Sequence, residues 1–398
     1  MKVDNLILTK SLGKGAFGEV FLTNMEGRKE LFATKRLDRA YTEKESNIKR
    51  LYNEIKVMQK IQHPNIVGLI DLKKTKSHCY LVMEYCNGGD LTGCLKKYME
   101  KYKRAFSEEI VQYLMRQIVS GLDALHSNNI LHRDLKLDNI LICFNSEADK
   151  ASLNMMKATA KITDFGFATI LKNGNNMAYS ILGTPIYMEP EMLNNMQQHT
   201  KNQGYDQKVD IWSLGALCYE MLMGRNPFIG KSMQDVFDKV KKGTYSLPTS
   251  LSREVVFFIE AMLQKDKNKR ASCKELLRHD FLTKNVRLFK PMDVRTIPGV
   301  VAQEGGMVNI NSGANNKIQK LNETVWDIFI ESNQTDKNNY PTQYQVNPQQ
   351  NNVPSYQTFP MPISYGQNPN NMPANQYQYA QYPSNTGNMP KMQMGYYY

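Results

Sequence analysis

Nowhere among the 398 residues does an apolar run reach the ~18 residues that a membrane-spanning helix needs. Cysteine is scarce: Cys79, Cys86, Cys94, Cys143, Cys218 and Cys273 are the whole set, none is spaced as CxxC, and no secretory leader is apparent. A disulfide-stapled scaffold is therefore not expected, and free thiols in a reducing, cytoplasmic setting are. Acidic residues are in deficit, 38 Asp and Glu against 50 Lys and Arg, for a net charge of +12. Such a balance invites a nucleic-acid reading, which clusters such as Lys73-Lys74-Lys76, Lys96-Lys97 and Lys265-Asp266-Lys267 would have to carry. They are interspersed with acids, so solvated faces are expected and a nucleic-acid partner is not; acidic lipid or phosphoprotein surfaces stay open.

Charge almost vanishes near the end. From Asn338 to Tyr398 the only charged side chain is that of Lys391, while Asn, Gln, Tyr, Pro and Met dominate. This composition cannot build a core, and residues 332–398 read as a disordered tail prone to self-association. Tyrosines there could stack on single-stranded bases, but the electrostatic term that drives such binding is missing. Residues 283–315 are mixed and Gly-containing, with no periodic apolar face, and read as a linker. Between linker and tail, Ile318, Leu321, Val325, Ile328 and Phe329 recur at helical spacing with Trp326 alongside. One amphipathic helix over 316–331 would satisfy that pattern, either packing on the preceding domain or docking a regulatory partner.

The first 282 residues carry the chemistry. Gly13-Lys14-Gly15-Ala16-Phe17-Gly18 lies between the strand-like stretches Leu6-Ile7-Leu8 and Val20-Phe21-Leu22. Three glycines let backbone N–H groups approach phosphates, although a plain hairpin turn is an equal reading and no helix follows to suit a dinucleotide. Leu31 to Lys35 reads as a strand, and Leu51, Glu54, Ile55, Met58 and Ile61 follow a helical period. A partly desolvated Lys35 would need an anion, and Glu54 is assigned as its partner. His132-Arg133-Asp134-Leu135-Lys136-Leu137-Asp138-Asn139 precedes Asp164-Phe165-Gly166. Asp134 can accept or orient a hydroxyl proton, Lys136 can neutralise a transferring phosphoryl group, and Asn139 and Asp164 offer the hard oxygens that suit magnesium. Taken singly, each has a blander explanation as a surface lysine, an exposed glutamate or a turn former.

Taken in order, these motifs resemble the signature set of eukaryotic protein kinases, over roughly residues 4–282. The resemblance implies an α+β, two-lobed fold: a small β-rich lobe to about residue 84, a hinge at 84–87 and a larger helical lobe at 88–282, using ATP and Mg2+ on protein substrates. It implies ATP contacts from Leu12, Gly13, Lys14, Gly15, Ala16, Phe17 and Gly18, and an adenine sandwich of Val20, Ala33 and Leu141. Lys35 with Glu54 would anchor the phosphates, Glu84 and Cys86 would line the hinge behind the gatekeeper Met83, and Asp90 would meet the ribose. Asp134 and Lys136 become the catalytic residues, Asn139 and Asp164 the metal ligands, and Glu191 with Arg270 a buried ion pair.

Finer likenesses point to a group. LVMEYCNGGDL at Leu81 to Leu91, Phe167-Ala168, Tyr187-Met188 and the insertion around Asn145 to Lys157 are similar to the autophagy-initiating serine/threonine kinases. Leu137-Asp138 replaces their Pro-Gln or Pro-Glu, and the stretch after residue 282 is short for their C-terminal region. Catalysis thus carries over better than an autophagy role; a kinase of another signalling group and a non-transferring scaffold remain alternatives. By the same resemblance Arg133 would hold a phosphate on Ser180, Thr184 would hydrogen-bond near Asp134 and Lys136, Phe167 would favour serine acceptors, and Asp90 and Asp138 would attract an upstream basic residue. Thr34 before the lysine and Glu189 in place of the usual alanine are departures; for Glu189 the sequence offers no physical account.

Overall fold

Alternation governs the chain from its start: Leu6 and Leu8 are buried while Ile7 and Thr9 face out, the period of a strand with one covered face. The computed structural model describes residues 1–15, 18–38, 44–171, 184–193 and 206–290, with the backbone of 301–303 and 307–310. Strands β1 (Lys2–Val3), β2 (Leu6–Gly15), β3 (Gly18–Met25), β4 (Leu31–Asp38), β5 (Leu69–Lys74) and β6 (His78–Glu84) form one antiparallel sheet in the order β1-β2-β3-β4-β6-β5. One face packs Leu6, Leu8, Met25, Phe32, Tyr80 and Val82 into a small core. Helix α1 (Glu45–Lys60) crosses this lobe and buries Leu51, Ile55, Val57 and Met58 at the helical spacing expected of it.

The larger lobe is built on helices with polar caps. Asp90 caps α2 (Leu91–Tyr102), Ser107 caps α3 (Glu108–Ser127), and Ser146 caps the short α4 (Glu147–Ser152) within the insertion. Helix α5 (Lys208–Met223) is buried nearly all round, including Trp212 and Asp210, as the centre of this lobe. Around it stand α6 (Met233–Lys242), α7 (Arg253–Met262), α8 (Cys273–Leu276) and α9 (Asp280–Thr283), the third closed by a reciprocal Ser272 and Glu275 capping box.

Two small sheets support the cleft between the lobes. Strands β7 (Gly89–Asp90), β9 (Ile140–Phe144) and β10 (Ala158–Ile162) form one, and β8 (Ile130–Leu131) with β11 (Thr169–Ile170) the other. The stretch 283–315, read from sequence as a linker, is not featureless. It holds a 3-10 turn at Val286–Leu288 and strands β13 (Val301–Gln303) and β14 (Met307–Ile310) that extend β12 (Tyr245–Pro248). Strands of three and four residues are too short to show a period, so only the pairing reveals them. The expected helix at 316–331 and the tail from 332 lie outside the described residues. No helix among the described residues is long and apolar enough to cross a membrane.

Candidate active site

Strand register brings the Gly-rich turn over the cleft. Gly13 pairs with Val20, Lys14 with Glu19 and Gly15 with Gly18, while Ala16 and Phe17 fall outside the described residues. Gly18 has φ +142, and a Cβ there would stand 2.1 Å from the carbonyl oxygen of Arg36, so no other residue fits the turn. Below it, Val20 and Ala33 are buried, and Leu12 and Leu141 are half-buried. Ala33 pairs with Met83 at the inner end of the hinge.

Lys35 sits next to Val20 and Leu81 in the sheet and reaches α1, its Nζ 2.7 Å from Glu54 Oε1, both residues more than nine-tenths buried. Burial pushes the Glu54 carboxyl above its ordinary range against the pull of Lys35, and the nearby Asp164 charge pushes the same way. Lys35, Glu54, Asp164 and Gly166 line one cavity.

The catalytic loop hangs from a single buried carboxylate. Asp210 at the start of α5 accepts the backbone N–H groups of His132 (2.9 Å) and Arg133 (2.8 Å) and also contacts His126 Nε2 at 2.9 Å. Those bonds hold Arg133 at φ 67, a left-handed conformation that costs energy for a non-glycine residue. His132 Nε2 lies 2.9 Å from the Thr163 carbonyl, so the loop is tied directly to the residue before Asp164, which is itself left-handed at φ 60.

Within that frame Asp134 is held from both sides. Lys136 Nζ donates to Asp134 Oδ2 at 2.8 Å and to Thr184 Oγ1 at 3.0 Å, and the Thr184 hydroxyl donates to Asp134 Oδ1 at 2.8 Å. Asn139 Nδ2 donates to the Asp134 carbonyl (2.8 Å) and to its Oδ2 (3.1 Å), which commits the amide nitrogen to Asp134 and leaves the amide oxygen as the atom that could face a cation. Asp164 accepts from the Gly166 N–H at 3.3 Å. An amide oxygen and a carboxylate fit magnesium, which takes few protein ligands and draws the rest from phosphates and water.

Other expected residues have additional work. Asp90 accepts from Gly93 N at 2.6 Å as the cap of α2, and the Glu84 carboxylate is turned to Lys161 Nζ (2.9 Å) and Gly68 N (3.0 Å), so an adenine contact there falls to the backbone. Cys86 is buried behind the hinge, and Asp138 is exposed. Arg133 Nε donates to the Phe167 carbonyl at 2.7 Å; Ser180, its expected phosphate bearer, lies outside the described residues. Glu191 pairs with fully buried Arg270 at 2.8 Å.

Two features escaped sequence reasoning. The Arg50 guanidinium on α1 lies over the Phe167 ring, 5.0 Å from its centroid, which joins the Glu54 helix to the segment after Asp164. Glu189 is buried at 2% exposure in a cavity shared with Arg133, Asp134 and Thr184. Its Oε1 has no hydrogen-bond partner among the described residues, and burial, then the Glu191 charge, pushes its carboxyl up to about 8. The unusual glutamate is thus accommodated as a neutral acid at neutral pH.

Comparison with known proteins gives the same picture. The family profile described as protein kinase domain matches residues 6–282. Serine/threonine-protein kinase ULK1 of Homo sapiens is 36% identical over 293 residues, 72% of this chain and 26% of the relative. Serine/threonine-protein kinase unc-51 of Caenorhabditis elegans is 33% identical over 68% of this chain and 31% of its own length. Serine/threonine-protein kinase PLK4 of Danio rerio is 31% identical over 71% and 28%. The chain thus spans about a quarter to a third of the length of these relatives.

Proposed function

The chain belongs to the protein kinase family, and from that premise we propose that it transfers the γ-phosphoryl group of ATP to serine, and less often threonine, hydroxyls of proteins. One observation carries this reading: Asp134 is fixed between Lys136 and Thr184 at hydrogen-bond distance, with the Lys35 and Glu54 pair formed within the small lobe. A hydroxyl entering beside Thr184 meets a carboxylate aligned to take its proton, and Lys136 stands ready to offset charge on the transferring group. Lys35 would orient the phosphates, and Asn139 and Asp164 would hold Mg2+, which would neutralise phosphate charge when bound. The residue set Leu12 to Gly18, Val20, Ala33, Lys35, Glu54, Glu84, Cys86, Asp90 and Leu141 is assigned to ATP, with Glu84 and Cys86 acting through their backbone.

Phe167 after Gly166 supports the serine preference, and exposed Asp138 with Asp90 supports a basic residue upstream of the acceptor. An autophagy-related role in the cytoplasm is favoured by the likeness to the kinase group that the hinge and insertion motifs resemble. The comparable identity of the PLK4 relative keeps a second reading, a kinase of another signalling group. Ser180 is assigned as the activating phosphosite held by Arg133, residues 316–331 as a docking segment and 332–398 as a self-associating tail.

Phosphate transfer from magnesium-ATP to a serine-bearing protein by the purified chain tests the central claim. Activity that disappears in Asp164→Asn is expected; a chain phosphorylated on Ser180 that binds nucleotide without transfer would instead be a scaffold.

A further inference from the structure

A cysteine, a histidine and an aspartate stand in line beneath the catalytic loop, in the large lobe. Cys273 opens α8, and its Sγ lies 3.5 Å from Nδ1 of His126, near the end of α3. The other ring nitrogen, Nε2, lies 2.9 Å from Oδ2 of Asp210 on α5. That same Oδ2 accepts the His132 N–H at 2.9 Å, and Oδ1 accepts that of Arg133 at 2.8 Å. His132 Nδ1 in turn accepts the Asp134 N–H at 3.3 Å, so the line continues to the carboxylate that faces a hydroxyl substrate. Side chains from α8, α3 and α5 thus meet behind the loop that does the chemistry.

The order Cys–His–Asp is that of a nucleophile, its base and the acid that orients the base. Depth excludes that use here: Cys273 is 2% exposed, His126 7% and Asp210 not at all, so no substrate reaches the sulfur. The roles follow instead from Asp210, whose carboxylate can only accept, which puts a proton on His126 Nε2. Burial pulls the His126 imidazole down, yet the neighbouring sulfur and the Asp210 carboxylate outweigh it and hold the ring up to about 10. With both nitrogens protonated, Nε2 donates to Asp210 and Nδ1 to the lone pairs of the Cys273 sulfur. A ring bonded at one nitrogen alone can swing about that contact; a bond at the other nitrogen fixes its plane. The stretch that supplies the sulfur is itself anchored, since Arg270, three residues earlier, pairs with Glu191 at 2.8 Å.

We propose that Cys273 is a positioning residue for phosphate transfer: its sulfur fixes the plane of His126 and, through His126 and Asp210, the backbone of His132 and Arg133 that aims Asp134. Its effect on rate rests on the kinase activity proposed above; its effect on the loop does not. Arg133 sits at φ 67, a conformation that persists only while its surroundings enforce it, and the bond from its N–H to Asp210 is part of that enforcement. Without the sulfur, His126 Nδ1 would be left buried with no acceptor from α8, and the ring could turn to seek one at the expense of Asp210. Asp210 would then hold the strained loop less firmly, one residue away from Asp134.

The test compares Cys273→Val, which keeps bulk but has no lone pair, with Cys273→Ser, which keeps an acceptor, each in the full chain. Cys273→Val should lower kcat ~3- to 10-fold per folded molecule, the loss that one hydrogen bond accounts for, with KM for ATP unchanged, and Cys273→Ser should recover most of it. Hydrogen exchange read by mass spectrometry should rise in Cys273→Val at the peptide holding the His132 and Arg133 amides, while α7 exchanges as in the parent. That readout stands even if the parent transfers no phosphate, an outcome that would remove the kinase reading alone. Parental kcat and parental exchange in Cys273→Val would overturn the proposal, and so would equal losses in the two variants, which would make the sulfur a space-filler. In the unaltered chain, nitrogen-15 spectra of the six histidines should show one ring with slowly exchanging protons on both nitrogens. No such ring at neutral pH would also overturn it.

Discussion

Two buried ion pairs across distant segments, Arg270 with Glu191 in the large lobe and Lys35 with Glu54 in the small lobe, are built on opposite plans. In the large lobe Arg270 is fully buried, yet its donors are widely met: Nη2 by both Glu191 oxygens (2.9 and 2.8 Å), Nε by the Gln264 carbonyl (2.7 Å) and Nη1 by that of Lys208 (3.2 Å), with its Cζ 5.0 Å from the Trp212 ring centroid. In the small lobe the Lys35 and Glu54 contact at 2.7 Å shares its cavity with a second carboxylate, Asp164, whose charge helps to hold Glu54 above its ordinary range. The first pair closes its own account of charge within the fold. The second leaves negative charge in excess, which a bound cation would balance. A buried ion pair is therefore a statement about stability in one place and about ligand binding in the other.

The largest effect should come from breaking the self-sufficient pair. Arg270→Ala leaves Glu191 and three backbone carbonyls, those of Gln264, Lys208 and Lys265, without their donor and should cost ~3–5 kcal/mol, read as a lower Tm and denaturant midpoint. Activity should fall only in proportion to the unfolded fraction. A Tm equal to that of the parent would erase the contrast between the lobes.

Lys35→Met should reverse the pattern. Loss of a positioned cation at the phosphates is expected to lower kcat/KM by ~10²–10³-fold. Stability should move little, because Glu54 can keep its proton instead of standing as a bare buried charge. Equal stability losses in Lys35→Met and Arg270→Ala would mean that both pairs are structural.

Glu189 sharpens the contrast from within the large lobe, since it lies beside the Glu191 pair with an oxygen that has no hydrogen-bond partner among the described residues. Its folded value, about 8, is above that of the unfolded chain, so the folded state binds the extra proton. Its contribution to stability is complete at acid pH, declines as pH rises from the ordinary carboxylate range towards about 8, and is lost beyond it. Glu189→Ala should flatten that decline, with each pH unit in the window worth at most ~1.4 kcal/mol. Denaturation midpoints measured from ~pH 4 to ~pH 9, with and without the substitution, bracket the window and check it; parallel curves would mean that the acid has found a partner.

These pairs also mark what the sequence could disclose. The loop from His132 to Asn139 is contiguous, so its chemistry is visible as a string, and α1 is visible because Leu51, Ile55 and Met58 keep one period. Register then carries Lys35 to Glu54, nineteen positions apart, a pairing that only the ordered motifs could suggest. Glu189 was visible as a departure but not as a neutral buried acid, because its state depends on depth and on Glu191 and Arg270 around it. The extension of β12 by β14 and the placing of Arg50 over Phe167 have no local signature at all. Each joins segments whose own sequences would look the same without the other.

The smallest effect expected is also the one that links the lobes. Arg50 stands four residues before Glu54 on α1, so one helical face carries both the lysine's partner and the cation above Phe167. Phe167 in turn offers its carbonyl to Arg133 Nε at 2.7 Å, one residue from Asp134. A shift of α1 would therefore loosen Glu54 and the segment after Asp164 together. Arg50→Ala should remove ~0.5–1 kcal/mol of this tether and lower kcat/KM roughly two- to fivefold. Phe167→Leu should act alike, and the double variant should be no worse than either alone, because both remove one contact. Fully additive losses would show that the two side chains act on separate steps, and the small-lobe pair would then be set by Lys35 and the bound phosphates without help from the large lobe.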